Sequence, residues 1–508
     1  MKARFINRKD HVAKSGSTRF TNRVYLTLGA VIAVAAILRI LYLGRESLWF
    51  DEAISFAIAR LNWPDFWKVV SHLEANMALY YALLHLWLHL GTSEFVLRSF
   101  SALAGVLAVP LLYALGKQMF DAKVGLIAAG LLALNPFHIR YSQEARGYAL
   151  EVLLVVLSSL LFFRCLEQGS RKAWIEYVLA STLAVYVHFF AALVLAAQWF
   201  SLVSVDVRSR PWKRLLISIS AIMVLLLPLA VFVVARDTGQ LAWVSKPGVA
   251  DIYGLFDALA GGGRPLVLAY LVPCFAAIVV AVKTWSRLGN SRETWHYGLL
   301  LSWLLVPVLT AFTVSLRKPI FVDRFLIGCL PPLVLLVAVG LSQIPNRWIL
   351  GGSLVVLAML SARRISRYDV MQQKEDWRAA TSYVTSHASR GDAVLFYTSY
   401  GRLGFDYYTR RMMPTSRIFK VVFPESLDLD AVEKADPTDS LLASLPKQYE
   451  QVWLFLRFSE ESPILQERDR AIEAILSNEY PEEKQMSFHG VRILEYSSNG
   501  YVQRAGRQ

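Results

Sequence analysis

Charge and cysteine are both scarce in this chain. Of its 508 residues only 18% are charged, 55% are apolar and three are cysteine, whereas soluble domains average about 25% charged. The shortage of charge argues against a wholly soluble enzyme. Cys165, Cys274 and Cys329 are far apart, odd in number and flanked by apolar residues, which excludes a disulfide framework or a zinc site built from them. Acidic residues are outnumbered: Lys plus Arg total 53 against 39 Asp plus Glu, a net charge of +14. Such an excess fits a nucleic-acid surface or basic loops that hold helices on the cytoplasmic side of a membrane, and the position of the charges decides between them. No GxSxG or GxGxxG stands in a supporting context, and Gly261 to Gly263 lacks the Lys-Ser/Thr of a P-loop and reads as a loop tip. No internal repeat or low-complexity tract is visible.

Long apolar runs are what the chain has instead. Val24 to Leu43 is hydrocarbon apart from Arg39, and 20 residues at 1.5 Å each cover about 30 Å, the thickness of a bilayer core. The run exceeds the apolar stretch of a signal peptide, so it reads as an uncleaved first span. Lys2, Arg4, Arg8, Lys9, Lys14, Arg19 and Arg23 precede it, opposed only by Asp10. The positive-inside rule therefore places residues 1–23 in the cytoplasm as a basic tail. Further apolar runs centre near residues 105, 132, 155, 182, 197, 224, 273, 304, 334 and 354. Basic clusters at Lys117/Lys123, Arg164/Arg171/Lys172, Arg208/Arg210/Lys213/Arg214, Lys283/Arg287/Arg292 and Arg347 separate alternate pairs. With every cluster inside, about eleven spans result and the C-terminus lies outside. Ala78 to Leu90 has 13 residues, a length suited to an interfacial or re-entrant helix.

After residue 362 the composition changes. Short β-rich runs (Ala393 to Tyr397, Ile418 to Phe423, Gln451 to Leu456, Val491 to Tyr496) alternate with helical patterns (Trp377 to His387, Leu441 to Tyr449, Ile464 to Leu476). The expected architecture is an all-α polytopic membrane domain over 24–362, with a long outer loop at 44–98, followed by a small extracytoplasmic α/β domain over 363–508.

Three outer loops then hold the informative polar residues. In GRESLWFDEAISFAIAR, Asp51 and Glu52 follow Trp49 and Phe50 at the bilayer edge. Such carboxylates suit a general base, and equally an N-terminal helix cap for Ala53 to Arg60; the two readings are compatible. The second loop, NPFHIRYSQEARGY, crowds His138, Arg140, Tyr141, Gln143, Glu144, Arg146 and Tyr148 together, as in a cavity lining or anion site, with membrane anchoring as the alternative. In the third, Arg317, Lys318, Asp323 and Arg324 precede a late span. Basic residues there run against the positive-inside bias, which a bound phosphate would offset, unless Asp323 simply pairs with Arg324. His188 in YVHFF is either a site residue or a satisfied interfacial histidine, and His85 with His89 lacks the glutamate and third ligand of a zinc helix.

LWFDEAIS, ALYYALLHLW, NPFHIRYSQEARGYAL, YVHFFA, VDRFLIGCLPPL and KEDWRAATSYV, taken as an ordered set, resemble the bacterial family 39-like membrane glycosyltransferases. These have the C-type fold and are related to protein O-mannosyltransferases and to the transferase that places aminoarabinose on lipid A. The resemblance spans residues 24 to about 400. It implies an inverting transfer of a sugar from a polyprenyl-phosphate donor to a hydroxyl acceptor on a glycan, lipid or protein at the outer face of the inner (plasma) membrane. It implies Asp51 as catalytic base, seconded by Glu52, and Arg146 and Arg324, with Arg140 and Lys318, as donor-phosphate ligands. Glu74, Asn76, Tyr80, Tyr81, Glu144, Tyr148 and His188 are the expected substrate-binding residues. Many relatives carry a His-Pro-Pro-Leu-Tyr-Tyr run, whereas this chain has Glu74-Ala75-Asn76-Met77-Ala78-Leu79-Tyr80-Tyr81, which keeps the tyrosines and not the His-Pro-Pro. No metal is required by this chemistry, although a divalent ion is compatible with it, and no nucleic-acid partner is expected. A lipid-linked sugar flippase or transporter is the alternative; it predicts ionisable groups at mid-membrane and inverted repeats.

Overall fold

A computed structural model of the chain describes residues 6–72, 74–205, 210–235, 244–370, 374–413, 418–426, 429, 437–457 and 463–498. Of the basic residues read as topology signals, Lys2, Arg4 and Arg208 lie outside the described residues. In chain order the helices are α1 (Ile6–Ile40), α2 (Phe50–Ala59), α3 (Trp63–His72), α4 (Ala78–Trp87), α5 (Glu94–Met119), α6 (Ala122–Leu134), α7 (Pro136–Ser142), α8 (Tyr148–Gln168), α9 (Arg171–Val187), α10 (Ala191–Ser201), α11 (Trp212–Ala235), α12 (Val249–Ala260), α13 (Arg264–Leu288), α14 (Arg292–Ser315), α15 (Leu330–Ser342) and α16 (Arg347–Val370). They are followed by α17 (Trp377–His387), β1 (Ala393–Tyr397), α18 (Gly401–Met412), β2 (Lys420–Phe423), α19 (Asp439–Ser444), β3 (Gln451–Arg457), α20 (Pro463–Glu479), β4 (Glu482–Phe488) and β5 (Val491–Ser497).

The chain divides into two compact units. The first comprises residues 1–43, 75–87 and 98–367, and the second residues 44–74, 88–97 and 368–508.

All eleven apolar runs seen in the sequence fall in helices of the first unit. Among the described residues eight helices are long and apolar enough to cross a bilayer, and a ninth span results if α6 and α7, bent by 60°, count as one. The shorter count reflects length: α9 has 17 residues, and Ala191–Ser204 and Ala78–Leu90 are short apolar helices. Exposed Leu26, Val34, Ile37, Val224, Val272 and Met359 make sense only against lipid, since a water-facing surface does not carry apolar patches of that extent. The chain is therefore a multi-pass membrane protein. By contrast α15 (LPPLVLLVAVGLS) is apolar on every face and is buried inside the bundle throughout its length, where such a helix needs no polar stripe. Gly340 lets α15 approach α13 closely: a Cβ there would lie 1.8 Å from the Pro273 carbonyl oxygen. Cys165, Cys274 and Cys329 are free and buried, as the sequence implied.

The second unit holds a five-stranded sheet of order β2-β1-β3-β5-β4. β2, β1 and β3 run parallel, while β5 and β4 are antiparallel additions. The parallel interior strands β1 and β3 are buried almost end to end, which explains their unbroken AVLFY and QVWLFLR runs. Ala393, Leu395, Leu454, Leu476 and Leu494 form the core on one face of this sheet. Strand β4 (EEKQMSF) sits at the edge with its polar side chains exposed; edge strands carry charge to resist further pairing, and so its sequence does not read as a strand. α18 is hidden in the same way: GRLGFDYYTRRM looks like a polar loop, yet Gly401 to Thr409 are all buried.

Candidate active site

The polar loop ahead of α8 is built by a helix break. Pro136 cannot donate the amide that would continue α6, and Asn135 caps the next segment by accepting from the His138 amide at 2.9 Å. The carbonyls of Leu132 and Ala133 are met by Arg39, whose guanidinium donates to both at 3.1 Å and to His138 Nδ1 at 2.7 Å. Arg39 is fully buried. It is the one charge in the first apolar run, and its place is structural: it occupies the donor position that proline vacates. Gln143 Nε2 adds bonds to the Leu38 and Leu41 carbonyls, so the loop from 135 to 147 is tied to the end of α1.

That loop presents Arg146 to a cluster within the first unit. Arg146 Nη1 donates to the Tyr81 hydroxyl at 3.0 Å. Ser101 Oγ donates to the Arg146 carbonyl at 3.0 Å and bonds the Tyr80 hydroxyl at 2.9 Å. Tyr80, Tyr81 and Tyr148 are fully buried and Arg146 is nearly so, and the guanidinium is held by the protein. The Tyr148 ring lies 5.8 Å from the His188 ring, and His188 is flanked by Phe325 at 5.4 Å. Arg146 and Arg324 both lie close enough to His188 to interact with it electrostatically. Asn76 Oδ1 accepts from the Phe189 amide at 3.1 Å. Thus Asn76, Tyr80, Tyr81, Arg146, Tyr148, His188 and Arg324, selected from separate stretches of sequence, lie in one region of the helical unit.

Other candidates stand at its margin. Glu144 is buried and lies 3.6 Å from Arg140, which is 41% exposed; both are close to Tyr141. Lys318 is exposed. The Asp323 carboxylate accepts from the backbone amide of Arg324 at 2.6 Å, while the Arg324 guanidinium lies over the Phe325 ring at 5.6 Å. One residue escaped the sequence reading. Glu151, in the first turn of α8, is completely buried, with Oε2 3.5 Å from His188 Nδ1. Neither of its oxygens accepts a hydrogen bond among the described residues. A Cβ on Gly328 would sit 3.2 Å from Glu151 Oε1, so glycine makes room for the carboxylate. The signal was available: a lone acid inside an apolar span is a functional candidate by default.

Asp51, Glu52 and Glu74 belong to the second unit. The N-cap of α2 is Trp49, without a side-chain bond, and Asp51 and Glu52 occupy the first turn. The capping alternative is thereby corrected: neither acid is the cap, although both favour the positive end of the helix. Asp51 is half-buried and Glu52 fully buried. Lys374 Nζ lies 3.4 Å from Glu52 Oε2. The loop before α2 is fixed by Tyr408, whose hydroxyl accepts from the Leu48 amide at 2.8 Å. Burial, reinforced by the charge of Glu94, pushes the Tyr408 hydroxyl up to about 12, so it remains protonated at neutral pH. Among the described residues no three His, Cys, Asp or Glu side chains come together as a metal-binding group.

Comparison with known proteins follows this geometry. Residues 76–234 match the family described as dolichyl-phosphate-mannose-protein mannosyltransferase. That stretch includes Tyr80, Tyr81, Arg146, Glu151 and His188. No curated protein sequence matches the chain. Among solved structures, ArnT from Cupriavidus metallidurans bound to undecaprenyl phosphate is similar, with a TM-score of 0.61 at 12% identity over 93% of this chain and 98% of that one. The oligosaccharyltransferase AglB from Archaeoglobus fulgidus, in complex with an inhibitory peptide and a dolichol-phosphate, gives a TM-score of 0.52 at 12% identity, covering 94% of this chain and 74% of its own. A structure of the Archaeoglobus fulgidus oligosaccharyltransferase with Zn and sulfate gives 0.52 at 14% identity, covering 84% and 67%. At such identities these likenesses speak for the fold. Residues 76–234 are thus similar to the dolichyl-phosphate-mannose-protein mannosyltransferases, and the chain shares along nearly its whole length the fold of these membrane-protein structures.

Proposed function

We propose that the protein is an inverting glycosyltransferase that passes a sugar from a polyprenyl-phosphate carrier to a hydroxyl acceptor at the outer face of the cytoplasmic membrane. In this arrangement the N-terminus is cytoplasmic and the second unit extracytoplasmic. The observation that carries the reading is the cationic niche of Arg146 and Arg324 around His188, at the ends of apolar spans. A phosphate on an isoprenoid chain needs this combination of a bilayer for its tail and fixed guanidinium donors for its head.

The chemistry follows from the donor. The phosphate oxygen is already bonded to the anomeric carbon, so transfer requires that this bond break while the acceptor oxygen attacks from the opposite face. Asp51 takes the acceptor proton, a role typically worth 10²–10⁴ in rate. Arg146 and Arg324 receive the charge that develops on the departing phosphate, each contributing roughly 3 kcal/mol if it acts like an oxyanion-hole donor. Glu52, Glu74 and Asn76 orient the base or the sugar, with Tyr80, Tyr81, Glu144, Tyr148 and His188 lining the substrate region and Arg140 and Lys318 drawing the anionic donor in. One displacement with one base inverts the anomeric configuration, by the geometry that governs inverting glycosidases. The phosphate charge is met by arginine, and a divalent cation is compatible with the same step.

Proteoliposomes supplied with a panel of radiolabelled undecaprenyl-phosphate sugars and glycan, lipid and peptide acceptors test the reading. Transfer with inverted stereochemistry is the expected result. Movement of donor across the bilayer with no transfer to any acceptor would overturn it in favour of a flippase.

A further inference from the structure

The KEDWR run, Lys374 to Arg378, lies just past the last apolar helix, and its side chains converge on one segment of the second unit. Lys374 is 87% buried by its surroundings, being only 13% exposed, and its ammonium faces the wholly buried Glu52 carboxylate at 3.4 Å. Glu375 holds Arg457 through Nε at 2.5 Å, and the Arg457 guanidinium in turn lies 4.5 Å above the centroid of Phe50, the residue before Asp51. Arg378 donates to the carbonyls of Gly44, Arg45 and Glu46 at 3.3, 2.9 and 3.3 Å and to the Glu94 carboxylate at 2.8 Å. Its backbone amide donates to Ser47 Oγ at 3.1 Å. The two remaining residues anchor the run itself: Asp376 caps α17 by accepting from the Ala379 amide and donates its own amide to the His489 carbonyl, and Trp377 Nε1 donates to Glu375.

We propose that Lys374, Glu375 and Arg378 are positioning residues for transfer: together they hold residues 44–52 so that the Asp51–Glu52 pair is presented in one charge state and one direction. The inference rests on the reading of Asp51 as base. Three physical points support it. A buried carboxylate keeps its charge only when a cation or hydrogen bonds meet it, and otherwise takes up a proton; Lys374 supplies a cation to Glu52. Arg378 meets three successive carbonyls of a loop with no regular structure of its own and also the Glu94 carboxylate, four acceptors where an ammonium has three donors and no fixed fork. Burial alone would lower the Arg378 pKa, but its hydrogen bond to Glu94 together with the charges and hydrogen bonding of Glu94 and Tyr408 outweighs it and the value is raised. The C-terminal unit thereby acquires a role: it supplies the counter-charge and the brace for the acids that sit some 320 residues earlier in the chain.

The test uses the full-length protein in proteoliposomes with undecaprenyl-phosphate mannose as the donor probe, following release of undecaprenyl phosphate against pH. Lys374→Met should lower kcat at least tenfold while donor KM stays within threefold, and should move the acid limb of the kcat profile to higher pH, because Glu52 loses its ammonium. Lys374→Arg should restore most of kcat and return the acid limb. In a Glu52→Gln background, Lys374→Met should have little further effect, since the charge it served is gone. Arg378→Lys, which keeps the charge and removes the fork, should lower kcat without moving the acid limb, and it serves equally if Lys374→Met does not fold. Wild-type kcat and an unmoved profile in Lys374→Met, or equal losses in Lys374→Met and Lys374→Arg with no pH effect, would overturn the proposal. Asp51→Asn is measured in parallel: retained turnover there refutes the assignment of the base, whereas loss there with an inert Lys374→Met refutes the brace alone.

Discussion

Arg146 and Arg324 are both held by the helical unit, Arg146 through the Tyr81 hydroxyl and Arg324 over the Phe325 ring. Preorganised donors of this kind pay no reorganisation when charge develops. Arg324→Ala should therefore raise donor KM by about 10- to 100-fold, the equivalent of roughly 1.4 to 3 kcal/mol, with little change in thermal midpoint. Arg146→Lys should retain charge but lose the geometry set by Tyr81, giving an intermediate donor KM in the same assay. Asp51→Asn should behave oppositely, with donor KM within about threefold of wild type and kcat down by about 10²–10⁴. These residues were legible because each is a charge at the edge of an apolar run, where composition predicts none. Glu151 was legible on the same ground and was passed over. Lys374 was not, because a lysine in a polar segment carries no signal until its partner, Glu52, is brought to it by folding.

Among elements, the break between α6 and α7 governs how the polar loop is displayed. Asn135 stops one helix and caps the next, Pro136 begins that next helix, and Arg39 satisfies the carbonyls released. Asn135→Ala removes the cap and also the bond from Asn135 Nδ2 to the Leu259 carbonyl at 2.9 Å. It should cost about 1 kcal/mol for the cap alone, read as a lower thermal midpoint. Arg39→Met is expected to cost more, because the Ala133 carbonyl loses the Arg39 donor and the Leu132 carbonyl keeps only the long bond from the Asn135 amide at 3.4 Å, a loss of about 1–3 kcal/mol for a buried group left unmet. Its amide exchange should rise selectively over residues 132–146, and donor affinity should fall with it. Proline alone does not announce the break, since Pro110, Pro228, Pro273 and Pro307 lie inside continuous helices; the Asn-Pro pair, a cap residue followed by a missing donor, is the sequence signal. That a membrane arginine ninety residues upstream completes it could not be read from sequence, because the pairing depends on which helices are neighbours.

For the whole molecule, the two compact units have different chemistry and so different responses to solution conditions. The second unit carries titrating groups of its own. Burial pushes the Asp469 carboxyl up to about 6, with Arg492 opposing and Glu473 assisting. An unfolded aspartate titrates near 3.9, so between about pH 4 and 6 the folded state binds more protons than the unfolded one and stability falls as pH rises. Asp469→Asn should abolish that decline: its thermal midpoint relative to wild type should improve at pH 7 and show no gain at pH 4, measured on the full-length protein in detergent.

The sequence by itself determined the class of molecule: apolar runs of bilayer length, the composition change near residue 362 and the alternation of β-rich and helical patterns each follow from local hydrophobicity, which needs no partner to be read. It also pointed to the charged loops, since a charge beside a membrane span is costly enough to mark its own position. Tertiary structure alone decided which of those charges meet. Edge strand β4 and helix α18 are polar and take their form from what they pack against. The grouping of residues 44–74 and 88–97 with the C-terminal domain and the pairing of Lys374 with Glu52 arise from contacts between distant parts of the chain. The cost of burying a charge is paid or refused only when its neighbour is in place.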